Sequence, residues 1–215
     1  MTDATTNHDT YTPHTILITG GAGFIGSNVL LYLCQKYPHY KLLCLDSLNP
    51  CASIRNLESV SSNPNVTLIH GDICNSVLVV RLLRDHHVDT ILHFAAQTHV
   101  DNSFGDSVAF TEANVLGTHV LLESIRAVNS QIKRFIHVST DEVYGEADEK
   151  SERFSVERAP APTNPYAATK TSAEYLVKSY HTSFEVPIII TRSNNVFGPR
   201  QYPEKLIPKV SGRSS

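Results

Sequence analysis

The sequence has little charge to spare of either sign. Lysine and arginine total 18 against 21 aspartates and glutamates, a formal net charge of −3 over 215 residues. That balance gives no electrostatic basis for binding nucleic acid or an anionic membrane surface. No apolar run approaches the roughly 20 residues that a transmembrane helix needs, and no basic segment followed by an apolar one marks the start as a secretory leader. The four cysteines, Cys34, Cys44, Cys51 and Cys74, lack C-x-x-C spacing, and two fall inside expected helix or strand interiors. A disulfide framework is therefore not expected, and a reduced, cytoplasmic protein is the simplest expectation. The eleven histidines show no metal-ligand spacing, so no metal is expected. Internal repeats and low-complexity tracts are also lacking.

What is present is an alternation of strand and helix patterns. Apolar runs at Thr15–Thr19, Lys41–Leu45, Val66–His70, Thr90–Phe94, Arg134–Ser139 and Pro187–Thr191 read as strands. Helical patterns lie between them at about 24–33, 53–60, 75–86, 107–129 and 165–184. Such βαβ repetition predicts an α/β fold, a doubly wound parallel sheet with helices on both faces and strand order 3-2-1-4-5-6. Length suits one large domain over residues 14–200. Residues 1–13, polar and aperiodic, are expected to form a disordered arm, and 146–163 a surface loop.

The run Thr19-Gly20-Gly21-Ala22-Gly23-Phe24-Ile25-Gly26-Ser27 lies between the first strand and the first helix. Glycines at 20, 23 and 26 let the backbone turn tightly, approach a pyrophosphate and pack helix on strand. The helix N-terminus offers N–H groups and a partial positive charge to the phosphates. Asp46 ends the second strand, 20 residues after Gly26. A carboxylate there accepts hydrogen bonds from adenosine ribose hydroxyls and repels a 2′-phosphate, so NAD is favoured over NADP.

In a doubly wound sheet the ligand lies off the carboxyl ends of the strands. Polar clusters follow each later strand: Gly71-Asp72-Ile73, where Asp72 could bond the adenine amino group; Ala95-Ala96-Gln97-Thr98; Ser139-Thr140-Asp141-Glu142; and Asn194-Asn195-Val196. Tyr166 and Lys170, four apart, share a helix face. The lysine is expected to stabilise a tyrosinate and hold the nicotinamide ribose, while Thr140 orients a substrate hydroxyl.

With Gly20–Ser27, His93–Asp101, Ser139–Gly145, Thr163–Lys170 and Asn195–Lys209 in view, the chain resembles the extended short-chain dehydrogenase/reductases. More narrowly, it resembles the nucleoside-diphosphate-glucose 4,6-dehydratases. The resemblance implies a Rossmann domain binding NAD, and dTDP-glucose or UDP-glucose as substrate. It also implies a homodimer formed through helices at 107–129 and 165–184. Within the family, an acidic pair after the threonine, here Asp141-Glu142, distinguishes dehydratases from epimerases. By resemblance Tyr166 is the base at the sugar's 4-hydroxyl, Glu142 the base at C5, and Asp141 the acid at the departing C6 hydroxyl. Phe24, Ile25, Ser47, Leu48, Asn49, Ile73, Phe94 and Ala113 are further implied cofactor contacts, with Val196 near the nicotinamide. Thr98 would touch both cofactor and sugar, and Asn195, Glu204 and Lys205 would face the substrate. Asn114 is implied to position the sheet and a water, with a buried capping role as the alternative.

Family members continue past the Glu-Lys-Leu-Ile-Pro stretch into a smaller domain that grips the nucleotide. Here residues 201–215 are expected to be only the start of that region, with the rest missing. Two alternatives to an active dehydratase follow: a non-catalytic NAD-binding and dimerisation fragment, or a related enzyme such as a sugar-nucleotide epimerase.

Overall fold

The computed structural model describes residues 11–128, 131–146 and 155–203. Six parallel strands form one sheet: β1 Thr15–Thr19, β2 Lys41–Asp46, β3 Val66–His70, β4 Thr90–His93, β5 Arg134–Thr140 and β6 Ile188–Ser193. Their order is β3-β2-β1-β4-β5-β6, as the alternating pattern predicts.

Burial on both faces explains the apolar strand sequences. All five residues of β1 are buried, and their side chains alternate between two cores, as a period of two requires. Leu17 joins Leu45, Ile91 and Phe135 in a cluster with Leu82, Leu83, Leu121 and Val177. Those last four lie on α2 Ser76–Asp85, α5 Gly117–Ala127 and α6 Pro165–Phe184. Ile16 and Ile18 point the other way, packing with Leu30 and Leu57 from α1 Phe24–Lys36 and a 3₁₀ turn at Ile54–Val60.

Several elements differ from the sequence expectation. The segment at 53–60 is 3₁₀ rather than α-helical. The single helix expected at 107–129 is α4 Ser107–Thr111, a π-helical turn at Glu112–Leu116, then α5. The widened turn holds Asn114, which is buried and bonded outside the helix, and a π-bulge commonly accommodates such a residue. A short helix α3, Val100–Gly105, has too few residues to show helical periodicity. Strand β6 runs two residues further than expected, pairing Ser139 with Arg192 and Thr140 with Ser193.

The expected N-terminal arm falls mainly outside the described residues, but Tyr11, assigned to it, is held. Its hydroxyl bonds Asp89 Oδ1 and Thr90 Oγ1, each at 2.5 Å, and the Arg134 guanidinium lies over its ring. Of the expected 146–163 loop, residues 147–154 lie outside the description. The part that is described carries no helix or strand.

Candidate functional site

The turn after β1 is shaped by what a side chain would strike. Gly20 has φ +68°, and a Cβ there would sit 2.6 Å from the Ala95 nitrogen. A Cβ on Gly26 would sit 2.2 Å from the Gly20 carbonyl oxygen. The glycines thus bring α1 against the turn and the turn against β4. Gly23 is the N-cap of α1 and provides no side-chain hydrogen bond. The first backbone bond to this cap comes from Ser27 N, at 3.0 Å. The N–H groups of Phe24, Ile25 and Gly26 consequently lack intrahelical acceptors and suit a diphosphate.

Asp46 has a structural task besides any ligand. Its Oδ2 accepts from Ala22 N at 2.9 Å and its Oδ1 from Leu48 N at 2.8 Å. This locks the glycine turn to the end of β2, with Leu48 at φ +55°. Each carboxylate oxygen retains a second lone pair for a ribose hydroxyl. Ser47 and Asn49 follow in the same loop. Asp72 is exposed and caps its own turn, its Oδ1 accepting from Cys74 N at 2.8 Å. Ile73 points into the core, so only its backbone can meet a ligand.

The β4 loop is held by Asn114. Its Oδ1 accepts from Gln97 N at 2.8 Å, and its Nδ2 donates to Gln97 O at 3.0 Å and Thr169 Oγ1 at 2.9 Å. Asn114 therefore fixes Phe94, Ala95, Ala96 and Gln97 relative to α6. Thr98 beyond them is exposed, and Ala113 adjoins the same turn half-buried.

Thr140, Asp141 and Glu142 occupy the end of β5 and a 3₁₀ turn, Asp141–Tyr144. Thr140 Oγ1 caps that turn, accepting from Glu142 N at 3.3 Å. Asn164 faces them from the start of α6, donating from Nδ2 to Glu142 Oε2 at 3.1 Å. Tyr166 and Lys170 lie in the first two turns of the same helix, both buried.

The Lys170 ammonium donates to the Val138 carbonyl at 2.7 Å. Burial pushes the Tyr166 phenol well above its usual pKa, and Glu142 and Asp141 push it further, while Thr140 opposes them. Burial lowers Lys170 to about 8, with Glu174 opposing.

Sequence reasoning missed the groups beneath these residues. His93 and His137 are buried side by side with ring centroids 5.3 Å apart. The Thr118 hydroxyl donates to Asn114 O, so it accepts from His93 Nε2 at 3.0 Å. Thr19 then donates to Nδ1, leaving a neutral imidazole. Arg192 pairs with Glu174 through two bonds, 2.9 Å at Nε and 2.5 Å at Nη2. Its Nη1 donates to Tyr144 OH at 2.6 Å and to Val156 O at 3.2 Å. The signal was present: Arg192 interrupts an apolar strand and Glu174 falls on the buried face of α6, where unpaired charge is rare. Burial by itself raises the Glu174 carboxyl, but the bond to Arg192, with help from Ser139 and Lys178, holds it below its usual value.

Arg192→Met is expected to cost about 3–5 kcal/mol, because it leaves Glu174 charged and buried. Glu174→Leu with Arg192→Met should recover most of the loss in chemical denaturation. A single-mutant loss below about 1 kcal/mol would show that Glu174 finds another partner or takes up a proton.

The loop after β6 returns to the glycine turn. Val196 to Pro199 face Phe24, Ile25, Asn28, Val29 and Tyr32 across a cleft of about 340 Å³. Asn28 Nδ2 donates to Pro199 O at 3.0 Å. Val196 is thus brought beside the α1 N-terminus, while Asn195 is exposed. Glu204 and Lys205 lie outside the described residues. No group of three or more His, Cys, Asp or Glu suited to a metal occurs among the described residues.

Known proteins share both the sequence and the fold. Residues 17–214 match the family model described as GDP-mannose 4,6 dehydratase. The chain is 56% identical over 201 residues to an Arabidopsis thaliana trifunctional UDP-glucose 4,6-dehydratase/UDP-4-keto-6-deoxy-D-glucose 3,5-epimerase/UDP-4-keto-L-rhamnose-reductase, covering 93% of this chain and 30% of that protein. It is 50% identical over 194 residues to the Homo sapiens dTDP-D-glucose 4,6-dehydratase, covering 90% of this chain and 54% of that one. The crystal structure of a Bacillus anthracis dTDP-glucose 4,6-dehydratase in complex with NAD superposes with a TM-score of 0.86 at 38% identity, covering 94% of this chain and 61% of that one. The chain therefore spans about half the length of the human relative and under a third of the plant one. A family model matched from the first strand onward, on a sheet whose order and glycine turn fit it, makes this chain a member of the GDP-mannose 4,6-dehydratase family.

Proposed function

We propose that this chain binds NAD and carries the catalytic residues of a nucleoside-diphosphate-glucose 4,6-dehydratase acting on dTDP-glucose or UDP-glucose. The observation that carries the reading is the convergence of two groups at the carboxyl end of one sheet. The glycine turn with Asp46 supplies a dinucleotide cradle. Thr140, Asp141, Glu142, Tyr166 and Lys170 supply the acid–base set across α6 and the β5 turn. The relatives named above support the substrate class and the cofactor.

NAD, held by the glycine turn and Asp46, would supply the hydride acceptor for C4 of the sugar and the hydride donor for C6. The rest of the chemistry is proton transfer by this chain. Tyr166, with Thr140 orienting the hydroxyl, takes the O4 proton. Its raised pKa means that a cation must be brought to the phenol, and Lys170, on the same helix face, is the side chain placed to provide it. Glu142 then removes the acidified C5 proton, while Asp141 protonates the C6 hydroxyl that leaves as water, and Glu142 returns the proton to C5 when C6 is reduced. The two carboxyls have different partners: Glu142 accepts from Asn164, whereas Asp141 lies 3.4 Å from Thr140 Oγ1.

A homodimer fits the exposed apolar residues Val108 on α4, Leu116 in the π turn and Tyr175 on α6. Four free cysteines fit a reducing cytoplasm. No described helix is long and apolar enough to cross a membrane.

The test is titration of the purified chain with NAD, then assay for 4-keto-6-deoxy product from UDP-glucose and dTDP-glucose. Binding with product establishes the dehydratase and identifies the nucleotide. Binding without product assigns this chain a cofactor-binding and dimerisation role instead. No NAD binding by folded protein overturns the reading.

A further inference from the structure

Asn164 is bonded in two directions at once. Its Oδ1 accepts from Ala167 N at 2.8 Å, which makes it the N-cap of α6. An N-cap needs an acceptor, so the helix dictates which end of the amide is oxygen. The Nδ2 group is thereby forced to face outward from the helix start, and it meets Glu142 Oε2 at 3.1 Å. Pro165 at the first helical position fixes the backbone that follows. A residue that serves only as a cap requires no donor, and serine or aspartate fills that position as well. The donor is the unexplained half of this side chain.

We propose that Asn164 is a positioning residue for Glu142, coupling the acid turn after β5 to the helix that carries Tyr166 and Lys170. The inference rests on the dehydratase reading for what Glu142 does, and on hydrogen-bond geometry alone for what Asn164 does. Held this way, the carboxylate keeps one oxygen engaged and the other for the substrate. A donor favours the charged, basic form of a carboxyl. Among the described residues, Asp141 adjoins Glu142 on its own turn and Tyr166 faces it from α6, its phenol feeling both carboxylates. Lys170 is bonded to Val138 instead. Asn164 is thus the neutral donor to Glu142 from α6.

Two substitutions separate the cap from the donor. Asn164→Ser keeps an acceptor for Ala167 N but cannot reach the carboxylate. Asn164→Asp keeps the shape and the cap but replaces the donor with a negative charge. Both should melt within a few degrees of wild type, whereas Asn164→Ala, lacking the cap, should melt lower. The direct readout is the Glu142 carboxylate ¹³C resonance at neutral pH in the NAD-saturated chain, which reports the bond from Nδ2. It is expected to move in both Asn164→Ser and Asn164→Asp, since both lose that bond. Turnover at neutral pH should fall roughly tenfold and roughly a hundredfold, with kcat affected rather than KM. A resonance unchanged in both variants overturns the proposal and leaves Asn164 a cap. A resonance that moves while wild type forms no 4-keto product keeps the proposal and overturns the dehydratase reading for this chain.

Discussion

Gly26→Ala is expected to weaken NAD binding by more than about a hundredfold, a loss of roughly 3 kcal/mol. The added Cβ would lie 2.2 Å from Gly20 O and 2.9 Å from Gly21 Cα, and both are backbone atoms that cannot rotate away. The turn cannot retreat either. Gly20 is already at φ +68° with Ala95 N within 2.6 Å of where its own Cβ would stand, and its N–H donates to Leu45 O at 2.8 Å. The remaining response is for α1 to move off the sheet, withdrawing the Phe24, Ile25 and Gly26 N–H groups from the phosphates. Overpacking of this kind also costs stability, about 1–3 kcal/mol. Gly105→Ala is the matched control, since nothing lies within 4 Å of its Cβ position. Calorimetric titration of both folded variants decides the matter. An affinity for Gly26→Ala within threefold of wild type would mean that α1 shifts without cost and that its N-terminus does not grip the diphosphate.

The glycine turn was legible in the sequence because its constraint is steric and local: strand, turn and helix are contiguous, and no other residue type fits. The strand order was legible for a related reason, since every apolar run of β1 and β2 needs cover on both faces. Helix α6 could be placed at 165–184 from its own helical pattern. The π turn was not legible. Glu112–Leu116 has ordinary helical periodicity, and what widens it is Asn114 reaching Gln97, 17 residues away, and Thr169, 55 residues away. Tyr166 and Lys170 were found through their spacing, but spacing does not say where an ammonium points. Val138 captures it because strand β5 ends directly beneath the helix. Asn164, Glu174 and Arg192 escaped notice for the same reason: each acquires its meaning from a partner that only the folded chain supplies.

The buried histidines carry the second large expectation, a fold that fails in mild acid. Burial, with the Lys170 charge nearby, holds His93 down to about 3, and holds His137 well below its ordinary value. Unfolded, both bind a proton near pH 6.5. From 6.5 downward the unfolded chain therefore takes up protons that the folded chain refuses, and stability falls. Above 6.5 their contribution is fully present. Each imidazole contributes a loss of about 1.4 kcal/mol per pH unit. Two of them remove roughly 5 kcal/mol between pH 6.5 and 4.5, a large share of the roughly 5–15 kcal/mol of a typical domain. The carboxylates held below their usual values, Glu174 and Glu123, act in a lower window, because their unfolded pKa is 4.5. The interval from about pH 5 to 6.5 thus isolates the histidines. Denaturant midpoints across that interval should fall with a slope that grows from about one proton at pH 6.5 to nearly two at pH 5. Among the described residues His137 has no hydrogen-bond partner at either ring nitrogen, so His137→Phe removes one titrating group without orphaning another. It should halve the slope. An unchanged slope in His137→Phe would mean that the imidazole is protonated or hydrated in the folded protein, and that the space beneath Lys170 is wetter than this packing implies.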